Sequence, residues 1–251
     1  MVSLYEIERY CNGLLEVETC EDYCPNGLQV DAGRESVRRV VSGVSASQAL
    51  VDAAAVAGAD LLLVHHGYFW KGEGQTLTGI KGRRVRTLIQ AGISLLAYHL
   101  PLDAHPRFGN NRQLGELLDL DGAPLDPTEP LVWAAELSAP LGPDDLAEQL
   151  HVALGRRPLH LPSGREGPLR RIGWCSGAAQ GYMERAAAAG LDAFISGEVS
   201  EQTAHLAREL GVHFYGAGHH ATERAGVRAL GEHLAGRFAL EHRFIDIPNP
   251  V

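Results

Sequence analysis

The stretch Ala57-Gly58-Ala59-Asp60-Leu61-Leu62-Leu63-Val64-His65-His66-Gly67 decides the predicted fold of this chain. Four consecutive apolar residues, Leu61 to Val64, are typical of a parallel strand that is buried on both faces. The helix before this strand is predicted to start after Ser45, a candidate N-cap, and to end at Gly58. An apolar strand that follows a helix so closely indicates a β-α-β arrangement.

The flanking segments continue the same alternation of strands and helices. A Val-rich strand is predicted over residues 40–44, a helix over residues 79–91 and another strand over residues 93–98. An amphipathic helix is predicted over residues 3–15. The order of elements therefore predicts an α/β fold with a mostly parallel sheet.

The second half of the chain repeats this order with similar residues. Ser42-Gly43-Val44 is matched by Ser176-Gly177-Ala178, and the stretch from Ala57 to Leu61 is matched by Ala189-Gly190-Leu191-Asp192-Ala193. The strand that ends in His65-His66-Gly67 corresponds to one that ends in Ser196-Gly197-Glu198. The similarity fits either an internal duplication or the generic likeness of all α/β units.

The repeat predicts two related α/β domains with mostly parallel, mixed sheets. A segment rich in Asp, Gly and Pro, residues 121–130, is a candidate linker, followed by a predicted strand (132–137) and helix (143–154). The last predicted helix (223–238) and strand (243–247) are expected to return to the first domain. We therefore predict a metal-binding domain of residues 1–125 plus 218–251 and a second domain of residues 126–217.

Composition narrows the possible functions. The 251 residues include 22 Lys and Arg against 31 Asp and Glu, a net charge of −9, which argues against nucleic-acid binding. The first 20 residues contain no long apolar block, and the most apolar stretch, residues 53–64, is too short to span a bilayer. The four cysteines have no CxxC spacing. We expect a cytoplasmic protein that does not interact with membranes.

Metal-ligand side chains follow three predicted strands at the point where each strand ends. The first group is His65-His66, the second runs from His99 through Asp103 to His105, and the third is His219-His220 with Glu223 one helical turn later. Imidazoles and carboxylates from neighbouring strand ends predict a mixed nitrogen and oxygen site for zinc, iron, manganese, cobalt or nickel. Five or more ligands, one able to bridge, favour two divalent ions about 3.5–4 Å apart that hold a bridging water.

The remaining histidines have a simpler interpretation. A single histidine at a strand end is usually a satisfied polar residue, and His105 and His220 are either neighbours of the ligands or surface residues. Six others are expected to be structural or solvated: His151, His160, His205, His213, His233 and His242. The chain contains no GxxxxGK[ST], GxSxG or HExxH motif.

Four strings of this sequence resemble the NIF-three-like family: DYCPNGLQV from Asp22, VHHGYFWKGE from Val64, AYHLPLDAH from Ala97 and AGHHATER from Ala217. The resemblance covers nearly the whole chain. It implies two related α/β domains, two metal ions per subunit and a ring-shaped hexamer built from dimers. Bacterial members often carry the label GTP cyclohydrolase I type 2 homolog.

The resemblance also implies the roles of individual residues. His65 and His66 would bind different metals, and Asp103 would join one of them. His219 would bind the other metal, and Glu223 would bridge both. His99 would line the site without being a principal ligand.

Two functions of different classes remain open. The first is a metal-dependent hydrolase that acts on a small nucleotide-like substrate through a metal-activated water, with His99 as a candidate proton shuttle. The second is a non-catalytic metal-binding ring that recruits a partner. A third, DNA processing in the hole of a ring, is disfavoured because the negative charge multiplies on assembly.

Overall fold

The computed structural model describes residues 2–251 as an α/β protein. The elements up to residue 104 are, in chain order, β1 (Val2–Ser3), α1 (Leu4–Leu14), β2 (Gly27–Val30), β3 (Ser36–Val37), β4 (Arg39–Ser45), α2 (Gln48–Val56), β5 (Leu61–His66), α3 (Gly79–Ala91), β6 (Ser94–Ala97) and α4 (Leu100–Ala104). The remaining elements are α5 (Asn110–Leu117), β7 (Ala123–Pro124), β8 (Trp133–Leu141), α6 (Pro143–Leu154), β9 (Leu159–Leu161), β10 (Leu169–Cys175), α7 (Met183–Ala188), β11 (Ala193–Ser196), α8 (Thr203–Leu210), β12 (His213–Gly216), α9 (His219–Thr222), α10 (Arg224–Phe238) and β13 (Glu241–Phe244). Short 3₁₀ turns lie at Val17–Thr19 and Gln180–Tyr182.

The chain divides into two compact units. The first comprises the chain up to Phe108 together with Gly226–Pro248, and the second comprises Gly109–Ala225 with Asn249–Val251. Most of α10 and all of β13 belong to the first unit. Residues 109–125, 218–225 and 249–251 lie in the second unit, whereas the sequence assigns them to the first.

The first unit is built on a five-stranded sheet in the order β13-β4-β5-β6-β2. The strands from β13 to β6 are parallel, and β2 is antiparallel to β6. In β5, Leu61 and Leu63 pack into one core, while Leu62 and Val64 pack into the core on the opposite face. Burial on both faces explains why this strand reads as a continuous apolar run.

The second unit is built on a six-stranded sheet in the order β7-β8-β10-β11-β12-β9. Its three central strands, β10, β11 and β12, are parallel, and β7, β8 and β9 join by antiparallel pairing. Both sheets are therefore mixed sheets with a parallel centre. The arrangement confirms the predicted fold class of two related α/β units.

Each unit contains the same set of hydrogen bonds at the start of corresponding strands, which we call the polar clamp. In the first unit, Asp60 Oδ2 accepts hydrogen bonds from the backbone N–H groups of Arg38 and Arg39, and the Arg39 guanidinium donates to the carbonyl oxygens of Ala57 and Gly58.

In the second unit, Asp192 Oδ2 accepts from the backbone N–H groups of Arg170 and Arg171, and the Arg171 guanidinium donates to the carbonyls of Ala189 and Gly190. A generic α/β unit has no need of this specific clamp. Its presence in both units therefore supports an internal duplication over a generic likeness.

The start of α2 differs from the sequence-based expectation. Ser47, not Ser45, is the N-cap, and its hydroxyl accepts a hydrogen bond from the backbone N–H of Leu50 at 3.3 Å. Ser45 is still part of β4, where its hydroxyl lies 2.9 Å from Nδ1 of His66. Either serine is a good N-cap, so the choice depends on where the strand ends.

Candidate metal centre

His65 and His66 occupy the last two positions of β5. The His65 side chain is fully buried, and its Nδ1 lies 2.9 Å from the carbonyl oxygen of Tyr98. A carbonyl oxygen only accepts, so Nδ1 of His65 carries the hydrogen and the lone pair of the neutral ring is on Nε2. That Nε2 lies 3.5 Å from Oδ2 of Asp103 on α4.

The two adjacent imidazoles lie close together because the strand ends there. Their ring centroids are 4.5 Å apart, and the ring of His99 lies 5.0 Å from that of His65 and 5.7 Å from that of His66. One nitrogen of each of the three rings lies within 4.8 Å of the others. The first unit therefore brings His65, His66 and His99 together, with Asp103 next to His65.

His99 is held by a carboxylate that the sequence analysis did not select. Asp22 Oδ1 accepts from Nδ1 of His99 at 2.7 Å, and its Oδ2 accepts from the backbone N–H of Leu100 and the amide of Asn26. Burial opposes ionisation, but the hydrogen bonds from His99 and Asn26 outweigh it and hold the pKa of Asp22 below its usual range. Asp22 is the first residue of DYCPNGLQV, one of the four strings on which the family resemblance rests, so the sequence did point to this residue.

His219 and Glu223 form the corresponding cluster in the second unit. His219 starts α9, and its Nε2 lies 3.1 Å from Oε2 of the buried Glu223, one helical turn later. Nδ1 of His219 lies 2.7 Å from Oε1 of Glu198, which follows β11. In the sequence Glu198 is marked only by its place in the repeat, where it corresponds to the histidine pair of the first unit.

The electrostatics of this cluster favour a cation. Burial would lower the pKa of His219, but the carboxylates of Glu223 and Glu198 outweigh it and raise this pKa to about 9. At neutral pH the ring therefore carries a positive charge between two carboxylates. The proton on His219 supplies the positive charge that a bound cation could supply between the two carboxylates.

The backbone leaves little space beside these side chains. Gly177 has φ of +65°, and a Cβ atom there would overlap Oε1 of Glu223. A Cβ at Gly197 would come within 2.6 Å of the Cα of His219. Glycine is required at both positions because the backbone approaches the cluster so closely.

The two remaining candidates have other contacts. Nδ1 of His105 accepts hydrogen bonds from the backbone N–H groups of Arg107 and Phe108, and its ring stacks on Phe108. The backbone N–H of His220 donates to the carbonyl oxygen of Val251. The first arrangement gives His105 a structural role in the loop after α4.

The fold and these clusters define a class of two-unit α/β proteins with histidine and carboxylate side chains at the ends of parallel strands. Residues 2–250 match the model of the Duf34/NIF3 (NGG1p interacting factor 3) family. The chain belongs to this family, which confirms the resemblance found in the sequence.

Close relatives agree over nearly their whole length. A protein of Pseudomonas aeruginosa named GTP cyclohydrolase 1 type 2 homolog is 57% identical over 98% of this chain and 96% of its own. A protein of Escherichia coli K12 with the same name is 51% identical over 98% of each chain.

Solved structures give the same fold. The protein ybgI, described as of unknown function, matches with a TM-score of 0.95 and 49% identity over the whole of both chains. The Thermus thermophilus protein TTHA1606 matches with a TM-score of 0.87 and 34% identity, also over both whole chains. No helix among residues 2–251 is long and apolar enough to cross a membrane.

Proposed function

We propose that the chain is a metal-dependent hydrolase that acts on a nucleotide-like substrate. The observation that carries the proposal is the orientation of the imidazoles. In His65, His99 and His219 the Nδ1–H donates to an oxygen that only accepts, so Nε2 is the nitrogen that would face a metal or a substrate. In His219 a bound cation would replace the proton that Nε2 carries at neutral pH. Metal-binding histidines are typically held in this way by a carbonyl or carboxylate behind the ring.

The donor set fits divalent transition metals. We propose that five residues would hold two ions, as the family resemblance implies. His65 and His66 would bind different ions, Asp103 would join one of them, His219 would bind the other, and Glu223 would serve both. Zinc, iron, manganese, cobalt and nickel all accept such ligands. When bound, two such ions lower the pKa of a coordinated water and polarise the bond that is attacked.

Other residues of this chain would orient the imidazoles and transfer protons. The Tyr98 carbonyl, Asp22 and Glu198 hold the imidazoles of His65, His99 and His219 in one tautomer. His99, which we propose is not a principal ligand, would exchange a proton with the substrate or with water through Nε2 while Asp22 holds the ring by its hydrogen bond to Nδ1. The names of the relatives support a nucleotide as the first substrate to test.

Metal stoichiometry tests the ligand assignment. The purified chain should retain about two divalent ions, the number expected for a two-metal site, and Asp103→Ala and His219→Ala should each lower this number toward one. His205→Ala, which removes an exposed histidine from α8, is the matched control and should retain both ions. Full occupancy in both ligand variants, measured by elemental analysis, would refute the assignment.

Turnover tests the hydrolase. The metal-loaded chain is screened against GTP, other nucleotides and phosphoesters, and Glu223→Ala should abolish any activity found. Tight metal retention without turnover of any of these classes would favour the alternative, a non-catalytic metal-binding scaffold that recruits a partner.

We also propose that the chain assembles into a hexameric ring, as the resemblance implies. The particle in solution would then have a mass near six times the 27.0 kDa of one chain. Light scattering coupled to size-exclusion chromatography measures this mass, and a monomer or dimer at micromolar concentration would contradict the ring.

A further inference from the structure

Two aromatic side chains flank His99 in the first unit. The ring of Trp70 meets that of His99 edge-on at a centroid distance of 4.9 Å, and it lies 5.9 Å from the ring of His66. The ring of Tyr23 lies 6.4 Å from that of His99, and 61% of Tyr23 is exposed. Solvent-accessible aromatic surface therefore lies directly beside the candidate ligands of this unit.

The backbone fixes where these two rings stand. The N–H of Lys71 donates to the carbonyl oxygen of Tyr23 at 2.6 Å, which joins the two segments that carry the rings. Phe69 has φ of +66°, a conformation that costs free energy for any residue with a bulky side chain. Glu73 Oε2 stabilises this turn by accepting from the N–H groups of Phe69 and Trp70 at 2.9 and 3.2 Å.

A lysine completes the support of this turn. Nζ of Lys81 lies 3.4 Å from Oε1 of Glu73 and 5.2 Å from the ring centroid of Phe69. Strained backbone that the surrounding contacts hold in place is typical of sites that position a functional side chain. These contacts hold the backbone that carries Trp70.

Trp70 differs from the other two tryptophans. Trp133 and Trp174 are 3% and 0% exposed and belong to the core of the second unit. Trp70 is partly exposed on the loop after β5, and its ring is part of none of the four hydrophobic cores within residues 2–251. An indole face beside imidazoles suits a flat, polarisable ring, because aromatic rings stack on one another regardless of their substituents.

We propose that Trp70 and Tyr23 form a stacking subsite that holds the planar nitrogen heterocycle of the substrate against His99. This inference rests on the proposed function, since it places the ring of that substrate. It predicts that affinity comes from the ring and not from a phosphate, which the net charge of −9 disfavours. A nucleoside should therefore bind more tightly than ribose 5-phosphate.

Binding to the full-length chain tests the subsite without turnover. Adenosine, guanosine and ribose 5-phosphate are titrated by calorimetry, with and without added Zn²⁺ or Mn²⁺. Trp70→Leu and Tyr23→Leu should each weaken nucleoside binding by about tenfold, the usual effect of removing one stacked ring. Trp70→Phe should restore most of the affinity. In the wild type a stacked nucleoside should quench the part of the tryptophan fluorescence that comes from Trp70, the one tryptophan of the three that is partly exposed.

Tyr5→Leu is the matched control, since Tyr5 is another exposed tyrosine of the same unit, 53% accessible. It should bind nucleosides like the wild type. Equal affinity in wild type, Trp70→Leu and Tyr23→Leu would overturn the subsite, as would the absence of nucleoside binding with and without metal. Loss of self-association in the two variants, with unchanged nucleoside affinity, would show that the rings cover an interface between copies and would also overturn it.

The experiments distinguish a failure of the subsite proposal from a failure of the hydrolase proposal. Nucleoside binding that depends on Trp70 and Tyr23, without turnover, would support the subsite and contradict the hydrolase. Metal-dependent turnover with the same KM in both variants would support the hydrolase and overturn the subsite.

Discussion

A carboxylate lies behind two of the clustered imidazoles. Asp22 accepts from Nδ1 of His99, and Glu198 accepts from Nδ1 of His219. Partners of this kind fix the tautomer and raise the basicity of the nitrogen on the far side of the ring. A change in either carboxylate should therefore alter metal binding, although neither carboxylate is a proposed metal ligand.

Glu198→Gln tests this at the residue scale. The amide keeps the shape of the side chain but loses the charge, so we expect metal affinity to fall by about 10–100-fold, the usual cost of losing such a partner. Competition with a chelator measures the affinity. Glu201→Gln is the control, because Glu201 contacts the exposed His205 in the same i, i+4 spacing that joins His219 to Glu223. Equal affinity in both variants would contradict a role for Glu198.

Gly177→Ala tests the close approach of the backbone to Glu223. The added methyl group would displace the carboxylate, so metal retention should fall along with stability. Gly155→Ala is the matched control, since Gly155 has φ of +72° and open space around its Cα. Both variants carry the backbone cost of about 1–2 kcal/mol for this conformation, but only Gly177→Ala should lose metal. Elemental analysis of the two purified proteins distinguishes them, and full metal content in Gly177→Ala would contradict the overlap.

At the scale of elements, the repeated clamp orients the start of a strand in each unit. Asp60→Ala and Asp192→Ala should each lower the free energy of unfolding by about 1–3 kcal/mol, because two backbone N–H groups lose their acceptor. Urea denaturation measures the change. Asp52→Ala removes an exposed carboxylate from α2 and should be close to neutral. A loss no larger than that of the control would mean that water replaces the carboxylate.

The elements themselves could largely be predicted from the sequence where local signals are strong. The helices α3 and α6 have the predicted bounds, since Gly92 and Gly155 adopt the left-handed conformation that ends them. The burial of β5 on both faces follows from its apolar run. These features depend on residues that are neighbours in the sequence.

The parts that sequence did not predict depend on contacts between distant residues. Asp22 forms a hydrogen bond with His99, which is 77 positions later in the sequence, and no local sequence pattern predicts this contact. The assignment of residues 109–125 to the first unit failed for the same reason, because Trp174 contacts Asn111 through a hydrogen bond that spans 63 positions. Local periodicity defines an element, but its partner is decided by packing.

At the scale of the whole molecule, buried and half-buried histidines couple stability to pH. Burial lowers the pKa of five of them below the ordinary value of 6.5: His105, His160, His213, His233 and His242. Their contribution to stability is present above pH 6.5 and is lost as pH falls, because the unfolded chain takes up protons first. His219 has the opposite sign, since its contribution is complete below pH 6.5 and is lost toward pH 9.

Lowering the pH from 6.5 to 5.0 should therefore destabilise the metal-free chain. Scanning calorimetry should record a falling Tm, by about 2–4 °C for each kcal/mol lost in a chain of this size. His242→Gln should flatten the dependence, because the amide can still bond to the Ser42 hydroxyl but does not titrate in this range. His205→Gln, at an exposed position, should leave the slope unchanged. A Tm that rises on acidification would contradict the sign.

The return of the C-terminal segment to the first unit has a consequence for synthesis. Strand β13 pairs with β4 at one edge of the sheet, and Val227, Leu230 and Leu234 of α10 pack into the same core as Ile7 and Cys11. A growing polypeptide exposes that core until the ribosome has translated the last segment, whereas residues 109–225 are continuous and complete earlier. We therefore expect the second unit to fold first during translation, and the proposed ligands His65, His66 and Asp103 on β5 and α4 to become fixed only after residues 226–248 have been translated.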